Sequence, residues 1–176
     1  MPPPEFFDFI RLRRLSGLLG FAVLAPLAAA AIAVGDTFPD PGKAALSGPA
    51  PSLAHRVVLV DFWASWCAPC KASFPIYARI HHDFSGKDFV LLAVSVDEDA
   101  ARYDAFVKNQ QPPFAVVRDA EQQLVRNVEV PGMPTSYLIG RDGKVRFIHR
   151  GFHDRETDEQ LRAEIAALLA EPNPLP

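Results

Sequence analysis

A chain of 176 residues, 49% hydrophobic and 10% aromatic with 13 Phe, has the apolar content of one packed core once an N-terminal segment is set aside. The formal net charge is -3, and the remainder is more acidic still without the leader's Arg11, Arg13, Arg14, Glu5 and Asp8, which argues against a nucleic-acid groove. There is no internal repeat and no sustained run of like charge.

The chain begins with a leader. Arg11-Leu12-Arg13-Arg14 precedes an uncharged apolar stretch from Leu15 to Ala33 that ends in Ala31-Ile32-Ala33, the pattern of a secretory signal cleaved before Val34. The same stretch is long enough to be retained as one tilted membrane span, although Gly17, Gly20 and Pro26 weaken it as a helix. Residues 1–33 are therefore read as a signal peptide or an N-terminal membrane anchor, and the rest of the chain as exported. Residues 34–56 are rich in Gly, Pro, Ala and Ser and read as an irregular lead-in. The ordered domain is expected over 57–170, with a short tail at 171–176.

Val57 to Phe62 is β-branched and apolar apart from Asp61, as a buried central strand should be. Cys67 to about Phe84 reads as a helix, bent where Pro75 lacks a backbone donor. Phe89 to Val96 is a second apolar strand. Asp97 to Asn109 is helical with Tyr103, Phe106 and Val107 facing inward, and Gln111-Pro112-Pro113 ends it. Phe114 to Val117 reads as a short strand and Ala120 to Asn127 as a short helix. Thr135–Ile139 and Lys144–His149 form a hairpin around Arg141-Asp142-Gly143. A last helix runs from Asp158 to Ala170, carrying Leu161, Ile165, Leu168 and Leu169 at helical spacing behind a Thr157/Gln160 capping box. The alternation of strands and helices predicts an α/β sheet with helices on both faces.

Both cysteines of the chain lie in Trp66-Cys67-Ala68-Pro69-Cys70, directly after the first strand. A strand that delivers Cys-x-x-Cys to a helix start puts the first thiol among unpaired N–H groups and at the positive end of the helix dipole, which stabilises a thiolate. Pro69 suits a first turn because its missing N–H would be unsatisfied there anyway. Structural zinc would need four ligands, and the sequence has no second Cys or His knuckle. So short a loop constrains the unfolded chain little, so the pair is read as redox-active and not as a staple.

Val60-Asp61-Phe62-Trp63-Ala64-Ser65-Trp66-Cys67-Ala68-Pro69-Cys70-Lys71 resembles the active-site strand and loop of the thioredoxin family, and Val130-Pro131-Gly132-Met133-Pro134-Thr135-Ser136-Tyr137 resembles its cis-proline loop. Val34 to Pro39, Phe74-Pro75 and the helix–strand insertion from Asp97 to Val117 resemble the exported TlpA/ResA branch. The resemblance covers nearly everything after the leader. It implies a thioredoxin-like fold, a central mixed sheet with a helix–strand insertion.

The resemblance also implies roles. Cys67 would be the exposed nucleophile that forms a mixed disulfide, and Cys70 the more buried resolving thiol that closes the Cys67–Cys70 disulfide. Asp61 would be a buried acid whose raised pKa lets it exchange a proton with Cys70. The lysine that thioredoxins carry near this acid is missing from Leu92-Ala93-Val94-Ser95. Glu98 is read either as an acid/base near the cysteines or as a charge serving a helix dipole. Trp66, Met133, Pro134 and Gly151 would form the substrate-binding surface, with Pro134 cis and its neighbouring backbone free to pair with an extended substrate. Trp63 is assigned to the core, His81-His82 to a solvated helix face, and His149 and His153 to the surface. The expectation is an exported thiol-disulfide oxidoreductase with no cofactor and no metal. It would reduce disulfides of periplasmic proteins, for example in cytochrome c maturation or copper-site assembly, with electrons from a membrane partner. Two alternatives stand beside it: a disulfide oxidase or isomerase, and a copper-binding module using Cys67 and Cys70.

Overall fold

The structure, a computed structural model, describes residues 31–173. Most of the leader, residues 1–30, therefore lies outside the described residues, and with it the choice between cleaved signal and retained anchor. No helix among the described residues is long and apolar enough to cross a membrane.

Two runs with no solvent-facing position make the centre of the sheet. β1 (Val57–Trp63) and β2 (Phe89–Ser95) are buried along their whole length and pair in parallel, as near-continuous apolar strands do when both faces are covered. β3 (Ala115–Arg118) extends the parallel part from β2. On the other side β4 (Thr135–Ile139) runs antiparallel to β1, and β5 (Val145–Arg150) antiparallel to β4, giving the order β3-β2-β1-β4-β5. The β4–β5 turn closes through Gly143, whose φ of 76° is in the left-handed region.

Among the described residues four α-helices accompany the sheet: α1 (Ala68–Asp83), α2 (Ala100–Gln110), α3 (Gln123–Val128) and α4 (Asp154–Ala170). Helix α1 runs unbroken through Pro75. It lies beside α4, joined by Arg162, which bonds Asp83 of α1 and Asp158 of its own helix, each at 2.6 Å. Arg141 of the β4–β5 turn donates to the carbonyls of Leu168, Leu169 and Glu171, so the unpaired C-terminal end of α4 receives a cation. Trp63, Phe74 and Phe106 meet edge-on or tilted at 4.6–5.0 Å between β1, α1 and α2. The insertion expected from the sequence is α2 with β3, between β2 and α3.

Three expectations need correcting. Helix α2 starts at Ala100, because Asp99 caps it by accepting from Ala101 and Arg102 while Asp97 is engaged elsewhere. Helix α4 starts four residues earlier than predicted: Thr157 is inside it, and its hydroxyl accepts from the N–H of His153, the N-cap residue, so no Thr157/Gln160 box forms. The lead-in, expected to precede the ordered core, contributes Phe38 to it. Phe38 is buried 5.5 Å from the Tyr137 ring, and bridges at Thr37–Lys144 and Ser47–Arg118 tie the segment to the sheet.

Candidate active site

Strand register gathers the residues singled out from the sequence at one end of the sheet. Phe62 pairs with Thr135, Trp63 with Ser95, and Thr135 with Arg150. The segments holding Trp66 and Cys67, Glu98, Met133 and Pro134, and Gly151 thus leave the sheet side by side.

Cys67 is the N-cap of α1, and its sulfur accepts the Cys70 N–H at 3.3 Å. Pro69 sits in the first turn, as expected. The two sulfurs are bonded, with the Cα atoms 5.3 Å apart. Cys67 is 6% exposed and Cys70 0%. Their order is the expected one, but Cys67, expected to be exposed, packs in the core cluster with its sulfur bonded to Cys70. The exposed side chain here is Trp66, at 64%, while Trp63 is fully buried.

The Met133–Pro134 bond is cis, with Pro134 buried and Met133 half-buried against the core. Gly151 donates from its N–H to the Pro134 carbonyl at 2.8 Å, which fixes the segment after β5 against the cis-proline loop. Its φ of 83° suits glycine. Glu98 is exposed, and its carbonyl accepts from Arg118 at 3.2 Å.

Asp61 lies fully buried between β1 and α1. Its Oδ1 accepts from Tyr77 at 3.0 Å and from Ser136 at 2.8 Å, and Oδ2 has no partner among the described residues. Burial raises its pKa to about 7, against the opposing pull of the Ser136 and Tyr77 hydrogen bonds. Burial, and then the charge of Asp61, push the Tyr77 phenol well above its ordinary value.

Sequence reading missed a second buried acid, Asp97. It accepts from the Ser65 N–H at 2.9 Å, the Ser65 hydroxyl at 2.8 Å and the Ser95 hydroxyl at 2.8 Å. These bonds pin the turn that presents Trp66 and Cys67 to the end of β2. The sequence signal for it is an acid just after a long apolar run, and the same acid fits a helix start equally well. Tyr77, Ser136 and Ser73 carried no such signal.

The histidines also depart from expectation. His81 packs on the Phe114 ring at 6.3 Å with Nδ1 buried, and burial, then the charge of His82, hold its pKa below the ordinary range. His149 is half-buried and bonded to Glu164 at 2.7 Å. His82 and His153 are exposed as expected.

Comparison with known proteins agrees with this arrangement. Residues 55–145 match the family described as Thioredoxin-like. The thiol-disulfide oxidoreductase ResA of Geobacillus thermodenitrificans is 30% identical over 74% of this chain and 76% of its own length. ResA of Bacillus subtilis is 35% identical over 53% of this chain, and the match spans 52%, about half, of that relative. A solved Chlorobium tepidum structure, assigned as thiol:disulfide interchange protein DsbE, is 36% identical with a TM-score of 0.73, covering 80% of this chain and 100% of its own.

Proposed function

The chain belongs to the thioredoxin-like family and groups with its ResA-type thiol-disulfide oxidoreductases, and from that premise we propose that it is an exported reductase of protein disulfides. The observation that carries this reading is the Cys67–Cys70 pair at the head of α1, in a loop whose neighbour in the sheet is the Met133–Pro134 segment.

The cycle balances without a cofactor. In the reduced protein the Cys67 thiolate attacks one sulfur of a substrate disulfide; that S–S bond breaks, a mixed disulfide forms, and one substrate thiolate leaves. Cys70 then loses its proton to Asp61 and attacks Cys67, closing the Cys67–Cys70 disulfide and expelling the second substrate sulfur. Two electrons pass from the pair to the substrate, and a membrane dithiol partner returns them. Trp66 offers an apolar platform beside the reacting sulfur. The Met133–Pro134 backbone and Gly151 form the rim on which an extended substrate lies. Glu98, exposed on the segment that follows β2, serves as an auxiliary acid/base.

Substrates of this reading are exported proteins whose cysteines must be reduced before haem or copper is attached. Cys70→Ser tests it. With no resolving thiol, the variant should accumulate mixed disulfides on Cys67 in cells, and the captured proteins name the substrates. Cys67→Ser should capture none. Absence of Cys67 adducts across oxidising and reducing growth conditions would overturn the reading.

A further inference from the structure

A carboxyl group in the middle of an all-buried strand needs donors. Asp61 has two, and both converge on the same oxygen: the Tyr77 hydroxyl from α1 and the Ser136 hydroxyl from β4 donate to Oδ1. Oδ2 is equally buried and has no partner among the described residues. The two oxygens are thereby made chemically distinct. Oδ1 is occupied by donors, so a proton arriving at the carboxylate binds at Oδ2.

Helix α1 sets the direction of this arrangement. Cys70, Ser73 and Tyr77 are buried on it, and their spacing puts them on one face. Helical side chains lean toward the N-terminus, so the long Tyr77 side chain lies over the turn of Ser73, one turn short of Cys70. Between them, the Ser73 hydroxyl donates to the Cys70 carbonyl at 2.8 Å. Among the described residues no other charged side chain acts on Asp61. In the register Asp61 sits between Ala93 of β2 and Ser136 of β4, α1 contributes Cys70, Ser73 and Tyr77, and the buried residues of α4 are Thr157, Leu161, Ile165 and Leu168.

We propose that Tyr77 and Ser136 are positioning residues for thiol exchange, clamping Asp61 through Oδ1 so that Oδ2 is the atom that takes the Cys70 proton as the mixed disulfide is resolved. The inference rests on the exchange chemistry proposed above. In this step the Cys70 S–H bond breaks and an Asp61 Oδ2–H bond forms. The Cys70 sulfur then bonds to the Cys67 sulfur, the Cys67–substrate bond breaks, the leaving sulfur carries away the electron pair, and Asp61 returns its proton to solvent. Without Tyr77 or Ser136 the carboxylate loses a donor and holds its proton to higher pH.

The test uses the full chain, reduced and mixed with dithiobis(nitrobenzoate) in a stopped-flow instrument. The first release of coloured thiolate reports attack by Cys67, and the second reports closure by Cys70. In the wild type the second phase should rise with pH through an inflection that Asp61→Asn abolishes. Tyr77→Phe and Ser136→Ala should each move that inflection up by about one pH unit, a roughly tenfold slower second phase at a fixed pH below it, and leave the midpoint of the first phase in place. A purely structural role would lower stability without moving the inflection, and thermal melts of both variants separate the two effects. An unmoved inflection in Tyr77→Phe and Ser136→Ala, with Asp61→Asn abolishing it, overturns the clamp while leaving the proton role of Asp61 intact. An inflection that survives Asp61→Asn overturns both, and a protein that releases no thiolate in either phase overturns the exchange function itself.

Discussion

Replacing Asp61 by asparagine removes a titrating group from the centre of the sheet with almost no change of shape, and the amide oxygen can still accept from Tyr77 and Ser136. Burial moves the carboxyl from an ordinary 3.8 to about 7. Between those values the folded protein binds a proton that the unfolded chain has released, so stability falls as pH rises. Below both values the group is neutral in either state and contributes nothing; above both, the full cost of a buried charge is present. At about 1.4 kcal/mol per pH unit, the interval amounts to about 4 kcal/mol. The asparagine variant has no such dependence. Urea denaturation of the oxidised wild type and variant at pH 4 and pH 8 isolates the effect, because every other titrating group cancels in the double difference. The variant should gain about 4 kcal/mol relative to wild type between the two conditions. A double difference near zero would mean that Asp61 ionises in the fold as it does in the unfolded chain, and the account of its burial would be wrong.

Two further outcomes are expected from contacts outside the cysteine pair. Asp97→Ala strips three donors of their acceptor and should destabilise the protein by about 3 kcal/mol, with faster hydrogen exchange at the Ser65 amide; a protected Ser65 amide would show that the turn before Cys67 holds without Asp97. Phe38→Ala should cost about 3 kcal/mol in equilibrium denaturation, whereas an unchanged midpoint would return the lead-in to the status of a loose arm.

Much of the architecture was legible in the amino-acid order. Val57–Phe62 and Phe89–Val96 read as buried strands because continuous β-branched and apolar runs fit a sheet covered on both faces. Asp142-Gly143 marked its turn because glycine takes the required φ at little cost. Helix starts were harder. Asp97, Asp99 and Thr157 can all serve as caps, and the choice depends on which side chain the rest of the fold has already engaged. Asp97 is held by Ser65 and Ser95, so Asp99 takes the cap. The burial of Phe38 was hidden by the glycines and prolines around it, since composition alone does not say which loop residue finds a pocket.

The sequence by itself determined the Cys-x-x-Cys pair on a strand-to-helix turn and the acid six residues before it, since both arise from local chemistry and chain order. Only tertiary structure decided what surrounds that acid. Asp61, Tyr77 and Ser136 come from three separate elements, and the strand register that sets Asp61 opposite Ser136 is a property of the assembled sheet. A hydroxyl in a helix and another in a strand are ordinary apart; packing in a buried layer makes them the donors that a buried carboxylate depends on.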